Sequence, residues 1–370
     1  MTIKRRFSCV VAAGIAAMVG TVGYAPAASA AYSTTPVGPT GWTPDGAVHA
    51  VVVAGDRVFV GGAFTGGVAA LDADTGALLW TASANGGVRA LAMSSDGSHV
   101  IAGGAFTAVD GATHRKLVSL SAGSGAAEPR WRAAAGGLVR DIQVVGDTAY
   151  FGGTFLKHNS IPQRGLGAVS VSTGKAVTGF TATTDAKVFG LATDGVRLAI
   201  AGDFTAVNGQ PRNAMASVTL ANGSLDAWRP AKPCSDCGKY WDVTIDSNTV
   251  YGVGKNSGAL VALDFTTGAR RWKITANGDA QAVTVADGLV YVGGHFSEIG
   301  APREPRKILA AVNPDNGALD PHFTPKFVTS WPGIWALAAS DARLYVGGHF
   351  TAAGPTPPRR YPYFAMFGTL

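Results

Sequence analysis

At 370 residues, 47% hydrophobic and 15% charged, the chain can bury a sizeable core and is too apolar to be disordered. Glycine fills 50 positions without a three-residue period, which excludes collagen and points to many tight turns. The formal charge of +6 misleads: residues 1–30 hold Lys4, Arg5 and Arg6 and no acid, so the remainder has 27 bases against 24 acids, or +3. That balance gives no electrostatic case for nucleic acid.

The first segment reads as a secretory leader. Lys4-Arg5-Arg6 is a basic start, Val10 to Val22 is apolar, and Ala28-Ser29-Ala30 is a small-residue cleavage site. Cleavage is expected after about Ala30, leaving 31–370 as one secreted domain. No second apolar run of about 20 residues follows, so no membrane span is expected. Cys9 precedes the apolar stretch, too early for lipid attachment. Beyond it stand only Cys234 and Cys237, spaced C-S-D-C, and in an oxidising exterior these two are expected to pair as a local staple.

Repeats then decide the fold. GGAF occurs at 61–64 and 103–106, GGTF at 152–155, AGDF at 201–204, and GGHF at 293–296 and 347–350. A gap of 92 residues before the fifth string contains a decayed copy, VYGVGKN at 250–256, giving seven copies about 42 to 54 residues apart. Alternating apolar runs around these strings end in Asp-Gly, Gly-Asp or Thr-Gly pairs, the pattern of short antiparallel strands. Units close on Trp80, Trp131, Phe180, Trp228, Trp272 and Phe323, and the missing seventh aromatic is Trp42. The expectation is an all-β, seven-bladed β-propeller with four antiparallel strands per blade. Residues near 36–44 should join the strand at 361–370 to close the last blade. Each diglycine should let backbones approach and leave room for a neighbour's aromatic ring, with the phenylalanine of GGxF packing between blades.

AALDADTGALLW (69–80) and VALDFTTGARRW (261–272) resemble the tryptophan-docking repeat of quinoprotein (PQQ-like) propellers. Ala70, Asp72, Thr75, Gly76 and Trp80 occupy that pattern, as do Ala262, Asp264, Thr267, Gly268 and Trp272. The recurrent VGGxFT…NG…R…LAALD unit is similar to the delta-60 type repeat of secreted bacterial propeller proteins, and it covers nearly all of 42–370. Both resemblances imply a blade and no particular activity. The quinone-dependent members are usually eight-bladed, and the neighbouring-cysteine pair that some place over the quinone has no counterpart here. No cofactor is therefore implied.

Propeller topology brings the second-to-third-strand loops and the blade-to-blade loops to one face. There they are long: 107–116, 156–164, 297–307, 351–360, 229–241 and 324–335, whereas the opposite-face turns are short. Long loops on a rigid scaffold are where binding sites arise. At the start of each channel strand stand His49, Arg89, Arg140, Phe189, Trp241, Gln281 and Trp335, large and diverse where core positions repeat. One reading is a ligand ring at the channel mouth, stacking sugars or holding small anions; the other is that Trp241 and Trp335 cap the core beneath their loops.

Other constellations carry less weight. Arg115, Arg164, Arg212, Arg306 and Arg359 recur before the third strand, as loop staples or as an anion ring. His295 and His349 share a repeat position with Asp203, a set that could bind a metal or follow from repeat copying alone. Asp72 and Asp74 cap a turn or touch calcium, and Asp141 with Asp242 could form a carboxylate pair on channel strands. No G-x-S-x-G or H-E-x-x-H string is present. The expected protein is a monomeric, non-enzymatic binding module for an extracellular glycan or cell-surface protein. The alternatives are a glycan hydrolase or lyase at the same mouth, and a structural envelope protein without a small ligand.

Overall fold

The structure, a computed structural model, describes residues 32–230, 238–329, 333–354 and 360–370. It is all-β and propeller-like, apart from one 3-10 turn at Asn256–Gly258. Among the described residues seven inner strands occur, each beginning one repeat: Val48–Ala54, Val88–Met93, Val139–Val145, Val188–Thr193, Tyr240–Asp246, Asp279–Ala286 and Gly333–Ser340. Each touches the next, and the last touches the first. Every inner strand pairs antiparallel with the strand that follows it, whose end holds a diglycine in five repeats and Ala-Gly or Val-Gly in the fourth and fifth, and which pairs in turn with a third.

Hydrophobic side chains collect between sheets. Seven buried clusters each draw from two successive repeats, such as Phe59, Ala70 and Ala82 with Val88, Val100 and Phe106. The GGxF phenylalanines, Phe64 to Phe350, are all buried in them. The first glycine of each pair explains the close contact. A side chain on Gly61, Gly103, Gly152 or Gly347 would come within 2.5–2.7 Å of the Val88, Val139, Val188 or Val48 side chain of the following repeat. The neighbour seated there is therefore a valine, not the expected aromatic ring.

The aromatic seat lies elsewhere. Gly125 and Gly317, turn glycines with φ of 76° and 72°, lie against the indoles of Trp80 and Trp272 from the preceding repeat. Each docked indole donates Nε1–H to a main-chain carbonyl of the next repeat: Trp80 to Ala122 (3.0 Å), Trp131 to Val171 (2.8 Å), Trp228 to Asp264 (2.9 Å) and Trp272 to Pro314 (2.7 Å). Where Phe180 replaces the indole, the Tyr150 hydroxyl donates to Leu220 O instead, at 3.0 Å.

Four strands per blade is corrected for most repeats. The first and fifth carry a full outer strand, Leu78–Ser83 and Arg270–Ala276. In the second, third, fourth and sixth, that segment is reduced to one bridge, for example Leu120 with Ala127 and Val312 with Leu319. Pro129 and Pro321 have no N–H for a ladder. Asp226 and Asp320 instead accept from the main-chain N–H of Trp228 and His322.

The last repeat is completed from the other end of the chain, by Tyr32–Gly38 pairing with Phe364–Thr369. The closing strand thus lies N-terminal to the expected 36–44. Trp42 is not its docking aromatic: Gly38 lies opposite Met366, the place that Trp80 holds opposite Ala70. Trp42 packs instead against Phe64 and Phe364, and the Tyr345 hydroxyl makes the docking bond, to Ala73 O at 2.8 Å.

Candidate functional site

An inner strand sends one face to the preceding sheet and the other to the following one. In the second repeat, Val88 and Leu91 join the first cluster while Ala90 and Ala92 join the next. Regular alternation therefore leaves no side chain for the channel. The chain solves this with an extra residue. In each inner strand the pairing skips one position: Val48 faces Gly62 and Ala50 faces Gly61, so His49 is bulged. The same slip isolates Arg89, Arg140, Phe189, Trp241, Gln281 and Trp335. A β-bulge kinks the strand and re-aims one side chain. The glycine that ends the second strand makes room for it: a side chain on Gly153 would run into Leu138 O, and one on Gly202 into Lys187 O.

All seven predicted ring residues come together. They line a cavity of about 70 Å³ at the channel mouth, and also one end of a cavity of about 460 Å³ formed by the inner strands. Phe189 and Trp241 rings lie 5.1 Å apart, His49 and Trp335 6.0 Å apart. The Arg140 guanidinium sits 5.1 Å from the Phe189 centroid, and Lys239 Nζ 3.8 Å from that of Trp241. Lys239 was not in the sequence-derived set; its position beside the bulged tryptophan was the available signal.

The mouth is cationic. Among the described residues no carboxylate forms an ion pair with Arg89 or Arg140. Burial, then the Arg89 charge, lowers the Arg140 pKa, with Asp203 pulling the other way. Burial also pushes His49 down to about 3, helped by Arg89, His349 and Arg140, so it is neutral at ordinary pH. Among the described residues, His49 Nδ1, Arg140 Nε, Trp241 Nε1 and Gln281 Oε1 are buried without a hydrogen-bond partner.

Asp141 and Asp242 are brought near one another but are already engaged. Asp141 accepts from the main-chain N–H of Ile142 (2.7 Å) and, in the next repeat, of Leu191 (2.6 Å). Asp242 likewise accepts from Val243 (2.8 Å) and Val283 (3.0 Å). Burial, then the Asp242 charge, raises Asp141 well above the usual carboxylate range, and burial takes Asp242 up to about 6. They fasten one inner strand to the next.

A family model described as outer membrane protein assembly factor BamB matches residues 28–236 and 227–320. The chain belongs to this family. Its repeats are thus of the PQQ-like kind, and the BamB-type repeat supplies the frame on which the mouth is built. No curated protein matches the chain. Among solved structures, the WD40 β-propeller domain of Doa1 aligns with TM-score 0.59 and 13% identity, covering 91% of this chain and 96% of that one. The computationally designed Ika8 protein aligns with TM-score 0.55 and 12% identity, covering 91% and 100%. At such identities these likenesses concern the fold alone.

On this BamB-type frame several other expectations change. Arg212 donates to Pro211 O and Asp226 O, and Arg306 to Pro305 O and Asp320 O, so both are staples within their repeats. Their counterparts are His114 and Gln163, whose N–H groups bond Thr107 and Leu156 as Arg212 bonds Thr205. Arg115 and Arg164 stand one residue later and are exposed, which removes them from any arginine ring. Arg359 lies outside the described residues, as do Cys234 and Cys237. His349 stacks on Tyr363 at 5.6 Å, and Asp203 accepts from Lys187 N at 2.9 Å. Among the described residues no three His, Cys, Asp or Glu gather to hold a metal. Asp72 accepts from Thr75 N and Oγ1, both at 2.7 Å, and from Asp74 N, which makes it a turn cap. No helix among the described residues is long and apolar enough to cross a membrane.

Loops of the mouth face are held firmly. Asp110-Gly111, Asn159-Ser160 and Asn208-Gly209 all have positive φ, the two-residue hairpin turn. Asn159 and Asn208 then tie these hairpins to the preceding repeat by accepting from Ala134 N and Thr183 N.

Proposed function

We propose that this is a secreted, monomeric, seven-bladed propeller of delta-60 type repeats that binds an extracellular glycan or surface protein at the channel mouth. Residues 1–30 are its leader, 31–370 its single domain, and Cys234–Cys237 a staple in the longest inter-repeat loop. The observation that carries the binding reading is the set of seven bulges, which delivers seven large side chains of five kinds to one small cavity. The continuous contact of seven inner strands supports the blade count. The spacing of Lys4–Arg6, the apolar stretch and Ala28–Ala30 supports secretion. Binding is preferred over hydrolysis because both Asp141 and Asp242 are tied to main-chain N–H groups.

Retention on a panel of immobilised polysaccharides tests this reading. Trp241→Ala combined with Trp335→Ala should abolish retention while thermal stability stays nearly unchanged. A large loss of stability with retention intact would assign the two tryptophans to packing. Recovery of the protein from the medium with Ala31 at its N-terminus checks the leader.

A further inference from the structure

The mouth's polar atoms define a more specific ligand. Arg89 and Arg140 rise from neighbouring inner strands, half-buried and without an ion-pair partner among the described residues. Like charges held together in a partly desolvated place repel unless an anion joins them. Beside them the N–H groups at Arg140 Nε and Trp241 Nε1 are buried and unpartnered, and Lys239 lies over the Trp241 ring. Such donors have no use for a neutral apolar group, and leaving them unpaired costs free energy. One arc of the mouth therefore asks for an acceptor with negative charge, and a planar carboxylate matches a guanidinium fork.

The remaining unpartnered atoms are of the other kind. Gln281 Oε1 is an acceptor without a donor, and His49, kept neutral by its surroundings, has an unpartnered nitrogen at Nδ1 that accepts from or donates to a hydroxyl according to its tautomer. These suit hydroxyl groups. The cavity of about 70 Å³ has room for one terminal group, not a whole polymer segment lying across it.

We infer that the mouth takes the carboxylate and adjoining hydroxyls of a uronic-acid residue, at the end or on a branch of an acidic glycan. Arg89, Arg140 and the Trp241 N–H hold the carboxylate; Gln281 and His49 receive the hydroxyls. The inference rests on the binding reading above and narrows it to one chemical class. Asp203, which couples to both Arg140 and Lys239, limits the positive potential and favours a single carboxylate over a multiply charged group.

Titration calorimetry of the purified protein with trigalacturonate, its fully methyl-esterified form, acetate, and a tripeptide with a free C-terminus tests this. Trigalacturonate should bind at least about tenfold more tightly than the other three, as expected when charge-assisted bonds are lost. Arg140→Gln and Arg89→Gln should each remove that preference with the melting temperature within a few degrees of the parent. Trp241→Phe should weaken binding severalfold, since it removes the N–H and keeps a ring. Equal binding of ester and acid, equal binding of acetate, or a tighter tripeptide each overturns the inference. If neutral polysaccharides are retained and lost with Trp241→Ala/Trp335→Ala, the binding reading stands and only the uronic-acid assignment fails. If no glycan of any charge is retained, both fall.

Discussion

The outer wall and the inner mouth use the same repeat in opposite ways. At the wall, one interaction recurs with little variation: an indole N–H, or a tyrosine hydroxyl in its place, reaches a carbonyl of the next repeat. At the mouth, one backbone device recurs, the single-residue bulge, but it presents histidine, arginine, phenylalanine, tryptophan and glutamine. Where packing dictates a side chain, the repeats agree. Where the bulge frees a position from both neighbouring sheets, they differ. Breaking the wall should therefore cost stability, and breaking the mouth should cost binding.

The largest effect is expected at the closing strand. Deleting residues 32–38 leaves Phe364–Thr369 paired on one side only, with Arg343–His349, and exposes the cluster containing Tyr32, Phe327 and Phe367. The loss should exceed about 5 kcal/mol, the low end of whole-domain stability. Urea unfolding followed by circular dichroism should then show no cooperative transition; a transition near the parent midpoint would mean that closure is dispensable.

Next comes the device shared by wall and mouth. Gly153→Ala places a methyl group against Leu138 O at the bulge that carries Arg140. Main chain cannot yield as a flexible side chain does, so destabilisation of about 2–4 kcal/mol is expected. Arg140 should also lose its place, and ligand retention should fall in the fraction that still folds. Gly146→Ala, at a turn with open space around it but φ of 57°, is a control for backbone strain without collision. Urea midpoints of the two variants separate these causes.

The docking bond should matter less. Trp80→Phe keeps a ring on the Gly125 seat and leaves Ala122 O with the Arg57 guanidinium as its donor, at a cost of about 0.5–1.5 kcal/mol. Tyr345→Phe, which strips the bond to Ala73 O, should cost about the same. If either variant is as stable as the parent, docking is ring packing alone and the carbonyl is indifferent to its partner.

Much of this division was legible in the sequence. The GGxF strings fixed the repeat, and the unmatched residues before each channel strand marked the mouth. The bulges were hidden because a one-residue slip in pairing leaves no compositional trace. Diglycine pairs are visible in a sequence, but whether they face a carbonyl or an aromatic ring depends on register. Arg115 and Arg164 show the same limit. One residue separates an exposed arginine from the staple position that His114 and Gln163 hold, and among the described residues only the sixth repeat, from Ser297 to Arg306, is longer there. The outer strands misled for another reason. Pro129, Pro321, Asp226 and Asp320 replace ladder bonds with turns and caps, so an aromatic can be docked without standing on a strand.

Between wall and mouth lie the two carboxylates, and their effect depends on pH. Asp242 is raised to about 6 by burial, so its contribution is greatest when protonated, below the unfolded carboxylate range, and fades as pH climbs through 6. The neutral buried histidines His49, His114 and His158 pull the other way, since lowered values cost stability as pH falls through the unfolded histidine range. The difference between parent and Asp242→Asn isolates the carboxylate. Between pH 4 and 8 that difference should move in the variant's favour by up to about 3 kcal/mol, from a shift of roughly two pH units. A constant difference across that range would mean that Asp242 ionises as an ordinary carboxylate.

The smallest stability change is expected at the mouth itself, and its sign is the informative part. A guanidinium at a docking position would be tied to a carbonyl, as Arg212 and Arg306 are, and its removal would destabilise. Arg140 has no such tie among the described residues: its Nε is unpartnered, and its neighbours Arg89 and Lys239 carry the same charge. Arg140→Gln keeps most of the side-chain volume, including the stem over Phe189, and removes the repulsion. The folded protein should therefore be unchanged or more stable by up to about 1 kcal/mol, measured by urea unfolding at low salt and again at high salt. The gain should shrink as salt screens the repulsion that the variant no longer has. Destabilisation of more than about 1 kcal/mol would place Arg140 with the wall, as a packing residue, and would leave the bulges without the freedom that separates the two regions.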